Sequence, residues 1–177
     1  MQDVGMYRCD GCGEEYRVAG TGAPTVLCSN CEQVASPYGD QLARREYRIG
    51  YAKYLEARRQ MGDAMNSFEA GRMALARGGF NDAASEFEDC VDHFTNAARG
   101  AESDPVGTPC ERARKKATCL WQAVEWLSGA TYATEQEQTT QAQRYREDAQ
   151  RRLEAASDYG DLVGPKDLPA AEAAPAP

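Results

Sequence analysis

Residues 7–31 read YRCDGCGEEYRVAGTGAPTVLCSNC. The stretch carries two Cys-x-x-Cys pairs, Cys9/Cys12 and Cys28/Cys31, with fifteen residues between them. Each pair sets two thiolates on one tight turn, where both sulfurs reach a shared ion at tetrahedral angles. Two such pairs at this separation make a four-thiolate metal site. Gly13, directly after the first pair, allows positive φ and turns backbone N–H groups toward sulfur. Between the pairs, Glu15-Tyr16-Arg17-Val18 and Thr25-Val26-Leu27 alternate like short strands, with Gly20, Gly22 and Pro24 supplying the turn. Two disulfides, or four free thiols, are the competing readings of the four cysteines. Disulfides suit a secreted chain, and no basic-then-apolar leader opens this one, so the expected compartment is the reducing cytoplasm.

These residues resemble a zinc ribbon of the transcription-factor-IIB or rubredoxin-like type. The order Tyr-x-Cys-x-x-Cys-Gly, then Ala23-Pro24, then Cys-x-x-Cys is also similar to the small rubredoxin-like domain of rubrerythrins, where the metal is iron and the role electron transfer. The chain departs from that family at Ser29, where a proline usually follows the third Cys, and at Glu32, where a small residue is usual. The resemblance implies a metal ribbon and leaves the activity open. Zinc is the expected ion and iron the alternative, since tetrahedral sulfur sites hold either. With Cys at all four positions no coordination site stays open, so the expected role is structural.

A chain of 177 residues can bury one mid-sized core beside a small metal module. No apolar run approaches the length of a membrane span. A net charge of −8 argues against nucleic acid spread over the whole surface. The charge is uneven: residues 41–60 hold six Lys/Arg against two Glu, and residues 61–109 hold three Arg against nine Asp/Glu.

Beyond the ribbon the sequence has helical periodicity. The expected organisation is a zinc ribbon at 1–35, a helical domain at 36–160 and a disordered tail at 161–177, the tail being rich in Pro and Ala. The first helix is expected from Ser36-Pro37 or Asp40 to a stop at Gly78-Gly79, with a bend at Met61-Gly62-Asp63. Tyr47, Tyr51, Tyr54, Met61, Met65, Phe68 and Leu75 form its apolar stripe. The second carries Phe80, Ala83, Ala84, Phe87, Cys90, Val91, Phe94, Ala97 and Ala98 on one face and ends near Gly100. The third opens on a capping box, Thr108 with Pro109 and Glu111, and weakens at Ser128-Gly129. The fourth repeats the device with Thr134 and Glu137 and ends at Gly160. Residues 71–90 resemble one tetratricopeptide unit, through Gly71, Ala83 and Phe87, with Phe80 in the turn. No second copy stands at the offset an array needs. The fold class is mainly α: a small β ribbon, then an antiparallel helical bundle or a tetratricopeptide-like domain.

A rubrerythrin-type di-iron bundle needs Glu-x-x-His on two helices. The one histidine, His93, has Cys90 three residues before it, so no such site is expected. His93 reads as a bystander, Cys90 as core. Cys110 and Cys119 lie nine residues apart on opposite sides of a helix. No catalytic constellation stands out, and the chain is not expected to be an enzyme. Arg44, Arg45, Arg48, Lys53, Arg58 and Arg59, interleaved with tyrosines, are the candidate contacts for nucleic acid or for a partner. The expected function is that of a non-catalytic zinc-binding adaptor or regulator that meets a protein partner through its helical domain. A transcription-related nucleic-acid binder and a rubredoxin-like electron carrier are the alternatives.

Overall fold

Seven-residue spacing returns a side chain to the same helix face every two turns. Tyr47, Tyr54, Met61 and Phe68 keep that interval, and so do Phe80, Phe87 and Phe94. In a computed structural model, which describes residues 4–9, 11–19 and 26–169, the two rows face each other. They lie on α1 (Asp40–Glu69) and α2 (Met73–Gly100). Ring centroids are 5.1 Å apart for Tyr47 and Phe94, 6.3 Å for Tyr54 and Phe87, and 6.4 Å for Phe68 and Phe80. Residue numbers rise on one helix as they fall on the other, so the pair is antiparallel. Aromatic side chains of this size supply most of the apolar burial between the two helices.

Two more helices extend the array: α3 (Asp104–Glu135) and α4 (Thr139–Ser157). Each helix packs on the next, and α1 also touches α3. One core runs through all four. Ala83, Cys90, Val106, Cys110, Ala113, Val124 and Ala149 belong to it, all fully or almost fully buried. A four-stranded antiparallel sheet precedes the helices. It contains β1 (Val4–Cys9), β2 (Glu15–Ala19), β3 (Val26–Leu27) and β4 (Val34–Tyr38), in the order β2-β1-β4-β3. The fold is therefore mainly α with a small N-terminal β element, as the sequence implies.

The helix boundaries differ from expectation. α1 stops at Glu69, and α2 passes unbroken through Gly78-Gly79 and Phe80. Gly71, at φ 73°, sits in the left-handed region that closes a helix cheaply. Its N–H donates to Phe68 O and that of Arg72 to Ser67 O, the two reverse bonds of a Schellman motif. Gly79 serves a different purpose: a Cβ there would come 2.9 Å from Ala64 Cβ, so its absence lets α1 and α2 close together. Because Phe80 is buried in mid-helix, residues 71–90 do not form the helix-turn-helix of a tetratricopeptide unit.

The third helix opens at Asp104-Pro105 rather than at Thr108, so Pro109 lies inside it. Asp40, the first residue of α1, accepts the N–H groups of Glu102 and Ser103 and the Ser103 hydroxyl, at 2.6–3.1 Å, and so settles the loop ahead of α3. α3 also continues through Ser128-Gly129 to Glu135. A second Schellman motif ends it, with Glu137 at φ 59° and Gln138 N–H donating to Ala133 O. The expected cap at Thr134 is therefore helix interior.

In the sheet, Ser36-Pro37 belongs to β4 and not to a helix start, and the expected boundary at residue 35 falls inside that strand. Among the described residues β3 pairs only with Val34 and Ala35, so none of them pairs with Pro37 on that side, where a missing N–H is tolerated. β2 and β3 lie at opposite edges and do not pair with each other. The turn at Gly20, Gly22 and Pro24 lies outside the described residues. Sheet and helices meet at the end of β4: Gly39 N–H donates to Gly100 O at 2.7 Å, and Leu42 packs beside Gly100.

The tail differs most. Residues 161–169 lie packed against the helices, with Leu168 only 4% exposed. The side chains that hold them, on α1 and α3, are far away in sequence and leave no local signal. The remaining residues of the expected disordered tail, 170–177, lie outside the described residues.

Candidate metal centre

Cys9 ends β1, Cys12 follows in the turn, and Cys28 and Cys31 flank the turn after β3. The sheet order brings β1 and β4 together at the centre, which sets the two turns side by side. The four sulfurs all lie within 4.8 Å of one another. Cys9 and Cys31 Sγ are 3.4 Å apart, and Cys12 and Cys28 Sγ 3.6 Å. A disulfide holds sulfurs at about 2.05 Å. A tetrahedral zinc with Zn–S of about 2.3 Å separates them by about 3.8 Å. The donor set thus fits a soft tetrahedral cation, and all seven cysteines are free thiols.

The two turns are built alike. Gly11 and Cys12 N–H groups point at Cys9 Sγ at 3.3 and 3.4 Å, and Asn30 N–H points at Cys28 Sγ at 3.4 Å. Gly13 at φ 75° and Glu32 at φ 58° close the turns, their N–H groups donating to Cys9 O and Cys28 O. The Cys12 N–H, with that of Gly11, holds the Cys9 thiol below its ordinary value. Burial pushes Cys28 up, but the Tyr16 hydroxyl and the N–H groups of Cys31 and Asn30 outweigh it and bring this thiol down to about 6. At Cys31 the Gln33 N–H acts downward, but the crowding of Cys9, Cys12 and Cys28 carries the thiol up to about 12. A cluster that ionises readily at one corner and resists at another needs a cation to hold four thiolates at once.

The chain matches no protein-family model, no curated protein and no solved structure. The reading of the site rests on its geometry alone.

Tyr16 is the functional residue that sequence reasoning missed. Its hydroxyl lies 2.6 Å from Cys28 Sγ, and that hydrogen bond pushes its own pKa up to about 12. Asn30 also turns toward the site, its amide pointing at Cys12 Sγ at 3.9 Å. Alternation along β2 puts Tyr16 on the face of the sheet core, which is the only signal that could have found it. Cys9 and Cys28 are buried with Tyr7 and Ala35, and Cys12 is exposed.

The six basic candidates do not form one free face. Lys53 bridges Glu86 and Asp89, and Arg59 bridges Glu56 and Asp63. Arg58 lies 5.8 Å over the Tyr54 ring. Arg44 is half-buried and donates to Leu168 O. Arg45 and Arg48 stay exposed. Tyr47 and Tyr54 are buried against α2 and are not available for base stacking. His93 pairs with Glu46 at 2.8 Å between α1 and α2. Cys90 and Cys110 are fully buried, and burial raises both thiols, Cys110 to about 12.

Proposed function

We propose that this chain is a non-catalytic, metal-stabilised adaptor. Cys9, Cys12, Cys28 and Cys31 hold one zinc ion as the core of the N-terminal sheet, and the helical array carries a protein-binding surface. The observation that carries the reading is the closed donor set: four sulfurs within 4.8 Å of one another, met by backbone N–H groups. Four thiolates fill a tetrahedral ion and leave no position for substrate or water. Among the described residues the sheet's own core cluster is Tyr7, Cys9, Cys28 and Ala35, two of them ligands, so metal binding supplies folding free energy.

Elemental analysis of the purified chain tests this reading. One zinc per chain supports it, and no metal, or stoichiometric iron with visible absorbance, overturns the zinc assignment. The adaptor part is tested by recovery from the native host: a partner retained by the intact chain and identified by mass spectrometry supports it, and a chain that stays alone at physiological salt argues against it.

A further inference from the structure

Residues 160–168 leave α4 as a strap laid across α1 and α3. Three side chains hold it, and each donates to a main-chain carbonyl. Lys116 Nζ binds Gly160 O, Tyr47 Oη binds Val163 O at 2.7 Å, and Arg44 Nη1 binds Leu168 O at 3.2 Å. The apolar anchors are Leu168, 4% exposed, and Leu162, partly buried on the same core. The groove therefore holds three main-chain carbonyls and two leucines of a segment that turns at residues 165–167, where Asp167 N–H donates to Gly164 O. Main-chain hydrogen bonds beside apolar pockets are the manner in which a peptide-binding groove grips a ligand.

Its charges fit the strap poorly. Lys116 is 8% exposed, and burial lowers its ammonium pKa, with Asp161 the carboxylate acting the other way. Arg44 Nη2 is buried and has no hydrogen-bond partner among the described residues. Asp40, the carboxylate that feels Arg44, is taken up by Ser103 and Glu102. The half-buried Arg44 and the buried Lys116 thus donate to neutral carbonyls, and Asp161 acts on Lys116 only through space. For a purely structural strap, apolar residues at both positions would serve as well or better. A carboxylate in place of the Leu168 carbonyl would instead engage both Arg44 nitrogens in a bidentate pair.

We propose that this α1/α3 groove is a docking site for a short peptide of a protein partner, one carrying a carboxylate beside an apolar anchor, and that residues 160–168 close it in cis. The proposal names the surface and the kind of partner for the adaptor reading, on which it rests.

The test uses the full chain with Leu168→Ala to loosen the strap. The probe is the peptide GDLVGPKDL, the sequence of residues 160–168, labelled at its N-terminus and made both as free acid and as C-terminal amide. In fluorescence anisotropy the acid binds about tenfold more tightly than the amide, the gain of a charge-assisted pair. The parent chain binds both more weakly than the variant does. Adding Arg44→Gln removes the difference between acid and amide. Leu162→Ala serves as the second loosened chain, and circular dichroism checks that each variant folds. If neither folds, the parent chain titrated with millimolar peptide gives the same comparison. Equal affinity for acid and amide, no binding, or a strap-exchanged dimer that ignores the peptide overturns the proposal. Those results leave the metal assignment standing, and a partner recovered from the host that survives Arg44→Gln would keep the adaptor reading while removing this groove from it.

Discussion

Gly79 of α2 lies against Ala64 of α1 so closely that a Cβ on the glycine would come 2.9 Å from Ala64 Cβ. Its neighbour Gly78 faces open space, with nothing within 4 Å of the same added atom. The two adjacent glycines should therefore respond oppositely to alanine. Gly78→Ala gains helix propensity and should stabilise by about 0.5–1 kcal/mol. Gly79→Ala gains the same propensity but forces the helices apart, a cost of about 1–3 kcal/mol that should leave it net destabilising. Urea denaturation of both variants checks this, and a stabilised Gly79→Ala would show that the helices yield.

Glu137 ends α3 in the left-handed region at φ 59°, where Gly71 ends α1 at φ 73°. The backbone bonds are the same, but Glu bears a Cβ clash of about 1–2 kcal/mol that glycine avoids. Part of that gain is lost to the greater freedom of an unfolded glycine. Glu137→Gly should stabilise by about 0.5–1 kcal/mol. An unchanged or lowered denaturation midpoint would mean that the Glu side chain contributes something the geometry does not reveal.

Asp40 supports the loop ahead of α3 from outside. Burial raises its pKa, but the Ser103 hydroxyl and two backbone N–H groups win and hold the carboxyl below its ordinary 3.8. A depressed carboxyl contributes stability that is full above the unfolded pKa and is lost as pH falls through the folded one. Asp40→Asn should cost about 1 kcal/mol at neutral pH. Thermal melts of parent and variant should converge as pH falls below the carboxyl's ordinary 3.8 and through its lowered folded value. A constant gap across that range would contradict the charge-based account.

Tyr16 donates to Cys28 Sγ, and such outer hydrogen bonds orient a ligand and tune its donor strength. Tyr16→Phe keeps the ring and removes the donor. Metal affinity should fall by about 10–100-fold, read as competition against a chromophoric chelator. With cobalt as the probe, the thiolate charge-transfer band should also shift. Cys12→Ser, by contrast, should unfold the sheet and leave α1–α4 largely helical by circular dichroism, because the helical core is a separate cluster.

The parts legible in the sequence are those whose signal is local. The Cys pairs carry their geometry in a fixed spacing, and the aromatic rows of α1 and α2 carry theirs in a seven-residue interval. Whether a glycine stops a helix or admits a neighbour is not local. Gly71 and Gly79 look equivalent in the chain, and only the position of Ala64 separates them. Strand β4 is not legible because Val34–Tyr38 contains a proline, which argues against a strand unless it sits away from the ladder bonds. Arg59 finds Glu56 and Asp63 within α1, at spacings the sequence shows, but the partners of Lys53 and Arg44 lie on α2 and in the strap, which it does not show. Residues 161–169 have a tail's composition, and their order comes from Arg44, Tyr47 and Lys116.

The strap also sets a sequence in time. Its bonds to α1 close loops of 116 and 124 residues, whereas α1 and α2 join across residues 70–72. Helix hairpins form from short-range contacts as soon as both halves exist, and long loops close afterwards. Synthesis runs in the same direction, at roughly 5–20 residues per second, so α1, α2 and α3 leave the ribosome before residues 160–168 do. Every newborn copy thus passes through an interval, on the order of seconds at that rate, when Tyr47, Arg44 and Lys116 stand uncovered. A partner or chaperone present at the ribosome meets the groove bare, and one arriving later must first displace the strap.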